Sequence, residues 1–167
     1  MAKTYEPITT TTISSNTATI TLSSIPATYT DLIMITTAKS DQESDIYVRF
    51  NGDTATNYSY IYGSGNHNGN TAHAGVSING DWGHLADAYG LPGTDNRHTH
   101  IFNVFNYANT NVAKSVLTTS FRKGDGVDYI STCWRNTAAV NSITLRFVSG
   151  AVFQAGTIVS LYGILKA

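Results

Sequence analysis

Strict two-residue alternation of apolar and polar side chains, with no stretch of helical period, most constrains what this chain can fold into. In Thr17-Ala18-Thr19-Ile20-Thr21-Leu22, Ala18, Ile20 and Leu22 share one face and the threonines the other. Ile46-Tyr47-Val48-Arg49-Phe50 and Ser142-Ile143-Thr144-Leu145-Arg146-Phe147 repeat the pattern. Successive side chains of a strand point to opposite faces, so this is the signature of a strand with one buried face. Leu32-Ile33-Met34-Ile35 and Ile158-Val159-Ser160-Leu161-Tyr162-Gly163-Ile164 are instead apolar on both faces. Such strands are expected to be covered on both sides, by a second sheet or by a partner subunit.

Further strands are expected at 6–13, 57–62, 73–79, 99–107, 113–122 and 127–135. Ser14-Ser15-Asn16 divides the first two strands, and Lys123-Gly124-Asp125-Gly126 reads as a hairpin loop. Pro7, Pro26 and Pro92 sit where a strand should start or stop. Gly/Asn-rich segments 63–71 and 90–98 read as the long loops, and 82–90 as one helical turn at most. About ten short strands without helices predict an all-β, single-domain antiparallel β-sandwich, jelly-roll-like, over residues 1–167. Frequent Thr, Ser, Asn and Gly, with few helix formers, agree with that class.

Charge narrows the partners. Net charge is −1 and 13% of residues are charged, so the basic surplus of a phosphate-neutralising nucleic-acid binder is missing. No apolar run approaches the roughly 20 residues of a membrane span. Met1-Ala2-Lys3-Thr4-Tyr5 lacks a signal-peptide core, so synthesis is expected in the cytoplasm, with the product staying there or leaving within something larger. The single cysteine, Cys133, excludes an intrachain disulfide and reads as a buried structural thiol.

Chemical constellations compete with plainer readings. Asn51-Gly52-Asp53, Asn79-Gly80-Asp81 and Gly124-Asp125-Gly126-Val127-Asp128 place acids in turns, but none has calcium-loop spacing, and Asn-Gly and Asp-Gly are favoured turn dipeptides. Of His67, His73, His84, His98 and His100, the last two share a strand face and could seed a zinc site if a third ligand came near. Structural or surface histidines are the alternative. G-x-S-x-G, a phosphate loop and a dinucleotide fingerprint are absent, and only Glu6 and Glu43 supply glutamates. No enzyme activity and no cofactor are expected.

Ten tyrosines and two tryptophans are the remaining signal. Tyr58, Tyr60, Tyr62, His67, Trp82 and Tyr89 form the candidate interaction surface, with Tyr107 near them. Aromatic faces beside Asn and Asp suit a glycan, and aromatics also fill cores and subunit interfaces. Because 58, 60 and 62 share one strand face, packing is the default.

Four segments taken together carry a resemblance. They are Ser24-Ile25-Pro26-Ala27-Thr28-Tyr29-Thr30-Asp31-Leu32, Arg49-Phe50-Asn51-Gly52-Asp53-Thr54 with Asn57-Tyr58-Ser59, Asn136-Thr137-Ala138-Ala139-Val140-Asn141-Ser142-Ile143-Thr144-Leu145, and Gly156-Thr157 with Ser160-Leu161-Tyr162-Gly163-Ile164. In this order, spanning about residues 4–165, they resemble a family of small structural proteins of tailed bacteriophages, of the marine and cyanobacterial phage type. The middle, about 63–112, departs from the pattern. The resemblance implies a virion component with a β-sandwich fold and no catalytic residues. The first expectation is a capsid decoration (cement) protein on the head surface, acting as a homotrimer against the major capsid protein or other virion proteins. A receptor-binding or tail-fibre module recognising host surface glycan is the second, and a cellular lectin-like domain ranks below both. Under the resemblance, Pro26 turns the chain across the sandwich and Tyr29 and Leu32 pack beneath that corner. Asn51-Gly52-Asp53 is then a turn whose side chains bond their own backbone, and Gly163 allows a close approach in the closing strand.

Overall fold

The computed structural model describes residues 4–66, 71–86, 97–122 and 126–165. These form β1 (Tyr5–Thr12), β2 (Thr19–Leu22), β3 (Asp31–Ala38), β4 (Ile46–Phe50), β5 (Tyr58–Asn66), β6 (Thr71–Gly80), β7 (Gly83–Ala86), β8 (His98–Phe105), β9 (Lys114–Arg122), β10 (Gly126–Trp134), β11 (Ile143–Phe147) and β12 (Ile158–Ile164). An eight-stranded sheet runs β1-β12-β3-β8-β9-β10-β5-β6, and a four-stranded sheet β2-β11-β4-β7. Every pairing is antiparallel. The two sheets make the expected β-sandwich.

Alternation explains the core. Leu32, Met34, Phe102, Val104, Val116, Val159 and Leu161 point inward from the large sheet to meet Ile20, Leu22, Ile46, Val48, Phe50, Ile143 and Leu145 from the small one. At its far end, Trp134 stacks on Tyr58 with ring centroids 6.3 Å apart, and Phe50 lies 5.5 Å from the same indole.

The structure corrects several expectations. Gly63–Asn66 is strand, not loop, because these residues pair with β10 on one side and β6 on the other. Two ladders of backbone hydrogen bonds outweigh the weak strand propensity of Gly and Ser. Residues 83–86 form a strand rather than a helical turn. A Cβ on Gly83 would come within 2.6 Å of the Thr132 methyl and 3.1 Å of Tyr58 and Val48, so only glycine lets β7 lie this close. Ala18 is exposed and precedes β2. Pro7 lies inside β1, which tolerates it as an edge strand with a register shift between Pro7 and Thr9. Pro92 and most of 90–98 lie outside the described residues.

The turn at Asn51-Gly52 has φ values of 53° and 66°, and Asp53 N–H donates to the Phe50 carbonyl at 2.9 Å. Positive φ at both central positions is the geometry that Asn-Gly favours. Asn51, however, bonds across the fold rather than to its own turn. Its Nδ2 donates to the Ala139 carbonyl at 2.8 Å, and its Oδ1 accepts from Asn141 N–H at 2.9 Å and Ser142 N–H at 3.2 Å. Asp53 does bond locally, accepting from Ala55 N–H and Asn57 Nδ2, both at 2.9 Å. It also accepts the Trp134 indole N–H at 2.7 Å and a longer contact from Asn136 Nδ2 at 3.5 Å. Burial opposes its ionisation, but the bonds from Asn57, Ala55, Trp134 and Asn136 hold the carboxyl below its ordinary range.

A second knot forms around Tyr107, whose hydroxyl donates to the Pro26 carbonyl and accepts from Tyr29 N–H at 3.1 Å. The Tyr29 ring then lies flat on Gly163, where a Cβ would sit 2.2 Å from it. Lys114 makes a third, wholly buried, its Nζ donating to the carbonyls of Val112 at 2.7 Å, Asn109 at 2.5 Å and Thr137 at 3.0 Å. Burial lowers its pKa.

Asp53→Ala is expected to cost about 2 kcal/mol in urea unfolding at neutral pH, since it strands the indole N–H of Trp134. With its folded pKa depressed, the Asp53 contribution is present above the unfolded value of about 4 and is lost as pH falls through the folded one. The loss on substitution should therefore shrink in acid. Gly163→Ala should cost roughly 1–3 kcal/mol by overpacking against Tyr29. Truncating that ring in the double variant Tyr29→Ala/Gly163→Ala should make the two losses less than additive. Additive losses would show that the ring and the glycine do not constrain one another.

Candidate interaction surface

Strand β5 separates the candidate tyrosines by depth. Tyr58 is fully buried, and its hydroxyl accepts a 2.8 Å hydrogen bond from Phe50 N–H. It is a core residue, not part of a surface, and burial pushes its phenol pKa up. Tyr60 and Tyr62 are half-buried and meet His84 edge-on at 4.9 and 5.8 Å. Tyr47 closes the group at 5.2 Å from the imidazole and 3.5 Å, hydroxyl to hydroxyl, from Tyr60. Burial, reinforced by that hydrogen bond, raises the Tyr47 phenol. Asp45 stands 3.9 Å from His84 Nε2. The extended large sheet thus curls its tyrosines around the edge strand β7.

Trp82 is 8% exposed. Arg49 and Arg146 place their guanidinium carbons 3.8 and 4.2 Å from the centre of its ring, and Arg49 also pairs with the Asp81 carboxylate at 3.0 Å. Its indole face is taken by cations, so it is not open for a sugar to stack on. His67 and Tyr89 lie outside the described residues.

The acidic turns serve the fold. Asn79, at φ 59°, accepts Arg135 Nη2 at 2.8 Å, and Asp81 pairs with Arg49. Gly124 and Asp125 fall outside the described residues, and Asp128 is buried on β10.

His98 and His100 do share a face, their rings stacked 6.3 Å apart. Register extends the row from Thr36 through His100 and Ser120 to Asp128, all buried. His100 Nδ1 lies 2.7 Å from Ser120 Oγ. The three side chains of a nucleophilic triad are present but in the wrong order. Serine stands between histidine and aspartate, where a triad needs histidine in the middle. Among the described residues, no group of three or more His, Cys, Asp or Glu is placed to hold a metal. Burial, and secondarily His98, lowers the His100 pKa to about 3.

The outward side of the large sheet is different in character. Leu117, Phe121, Tyr129, Ile61, Val76 and Ile78 all stand exposed there. Ser59, Tyr60, Ile61, Val76, Ser77, Ile78, Ser131 and Cys133 line a shallow groove of about 270 Å³ on this side. Cys133 is only half-buried, since its odd position on β10 turns it outward rather than into the core.

Periodicity could have shown that 115–121 and 127–133 present apolar groups outward. It could not have found the triple-bonded Lys114 or the arginines on Trp82, which depend on contacts between distant segments. A scan against models of known protein families finds no match, and a search of curated proteins finds no significant one.

His100 generates a pH prediction. It is neutral in the fold down to about pH 3, whereas the unfolded chain takes up that proton near pH 6.5. Stability should therefore fall as pH drops from about 6.5 towards 3, by up to about 1.4 kcal/mol per pH unit from this group. Urea unfolding at several pH values should give a shallower acid slope for His100→Gln than for the unaltered chain. Parallel slopes would remove His100 from the acid response.

Proposed function

We propose that the chain is a non-catalytic structural protein of a tailed bacteriophage particle, and first a capsid decoration protein bound in many copies to the head surface as a homo-oligomer. The observation that carries this reading is the broad uncharged outer face of the eight-stranded sheet, a surface suited to packing against protein. Its apolar groups lie on a rigid sheet rather than on loops, which suits repeated identical contacts. The resemblance of the four sequence segments supplies the viral context.

Wiring supports a finer reading of the fold. With the inserted strands β5, β6, β9 and β10 set aside, the chain leaves β1-β12-β3-β8 facing β2-β11-β4-β7. That order, with successive strands alternating between the sheets except at β4 and β7, which pair with each other, matches the order of a jelly roll, an architecture common in capsid proteins. The insertions widen one sheet and so enlarge its outer face.

The second reading is a host-glycan-binding module of the tail. The half-buried Tyr60 and Tyr62 beside His84 favour it, since ring edges next to hydrogen-bonding groups can hold a sugar. Densitometry of purified particles separates the two. The decoration reading expects a copy number comparable to that of the major capsid protein, and removal of the protein should lower particle stability without abolishing adsorption. A few copies per particle, with adsorption blocked by the free protein, would replace it with the glycan reading.

A further inference from the structure

We infer that the outer face of the eight-stranded sheet, with β6 as its edge strand among the described residues, is the surface on which this chain packs against further copies of itself. The inference rests on the reading of the chain as an assembling structural protein and names the surface that does the assembling.

The first argument is the covering of the strands. Strands β3 and β12 are apolar on both faces, and the small sheet covers only one. Ile33 and Ile35 alternate with the buried Leu32 and Met34 and point outward. Register carries that outward row across the sheet, from Ile33 through Asn103, Leu117 and Ser131 to Ile61 and Val76. Exposure reaches 59% at Ile61, 71% at Val76, 69% at Ile78 and 61% at Tyr129. A monomer that ended here would leave these apolar side chains in water, separated only by uncharged groups such as Asn103 and Ser131, and soluble proteins seldom expose so many on one face without a partner.

Charge identifies that partner. Arg97 and Arg135 flank β8 and β10, but within the strands from β12 to β6 Asp31 is the only charged residue at an outward position among the described side chains. It lies at the end of β3, with Oδ1 held by Asn106 N–H at 2.6 Å. A partner chosen by charge would need a complement, and none is offered. A surface without charge can face its own copy without like-charge repulsion, which self-association requires. The same face carries both projections and a recess: Phe121 and Tyr129 stand out, and the groove around Ile61, Val76 and Cys133 lies beside them.

Size is adequate. Eight strands at about 4.8 Å spacing and roughly 20 Å of strand length give a footprint on the order of 700 Å². Each side of a standard stable interface buries about 800 Å². The edges agree. β1 carries Glu6, Pro7 and a register shift, and β2 and β7 are four residues each. β6 is ten residues long with neither Lys, Arg, Asp, Glu nor Pro. Its one register shift lies near its end, opposite Tyr58–Tyr60, so Thr71–Ser77 is an edge without such guards, and an edge of that kind pairs readily with another chain.

The test is the mass of the free chain by light scattering over a concentration series, with maleimide labelling of Cys133. The expected result is two or three chains per particle in solution and slow labelling. Val76→Lys and, independently, Tyr129→Lys should give folded monomers with the same circular dichroism and at least ten-fold faster labelling. Thr19→Lys, on the exposed side of the small sheet, should change neither. A wild-type monomer at every concentration would overturn the inference. So would an oligomer whose mass and labelling survive both face substitutions. If one variant fails to fold, the other decides. An oligomer that is absent from phage particles would leave the interface standing and sink the virion reading; a particle-bound protein that is monomeric when free would do the reverse.

Discussion

The carboxylate of Asp53 is the point on which much of this sandwich depends. It sits in the connection by which the chain leaves the small sheet after β4 and enters the large one at β5. One oxygen closes the local turn through Ala55, and the other reaches the Trp134 indole at the end of β10. Trp134 in turn stacks on Tyr58 and packs at a tilt against Phe50, so one ionised group fixes where the two sheets meet at this end. Charge-assisted bonds to N–H donors are stronger than neutral ones. An indole N–H buried against an apolar core would be costly to leave without its acceptor.

Most of the segments that carry the sequence resemblance meet at the same end, although Gly156-Thr157 lies at the other, beside Ile13 and Lys39. Ile25 N–H bonds to the Asn141 carbonyl, Asn51 is bound to 139–142, and Tyr29 lies on Gly163. Tyr107, from the part of the chain that departs from the pattern, ties Pro26 to Tyr29 and gives its carbonyl to Val140 N–H. What looked in the sequence like scattered motifs, including an acidic loop, is one joint between sheets. These residues carry fold information, and functional chemistry is to be sought on other surfaces.

Legibility followed the range of the interactions. Strands with clean alternation, such as Ile46–Phe50 and Ile143–Phe147, could be read residue by residue, because a period of two needs only local sequence. Gly63–Asn66 and Gly83–Ala86 could not, since their strand character comes from neighbours far along the chain. Tyr58, Tyr60 and Tyr62 were correctly placed on one face, yet their depths differ because the sheet curls past the edge of β7. Lys114 was illegible for a similar reason: its three acceptors come from two separate loops.

One sequence observation gains weight from the structure. Leu32-Ile33-Met34-Ile35 required two covers, and the chain itself provides one. A lone β-sandwich of this size commonly makes its outer face polar, as the small sheet does with Thr19, Thr21 and Thr144. The large sheet departs from that rule from β3 through β6, most of all on β9, β10, β5 and β6. Packing against another copy, as proposed above, would take that apolar area out of water.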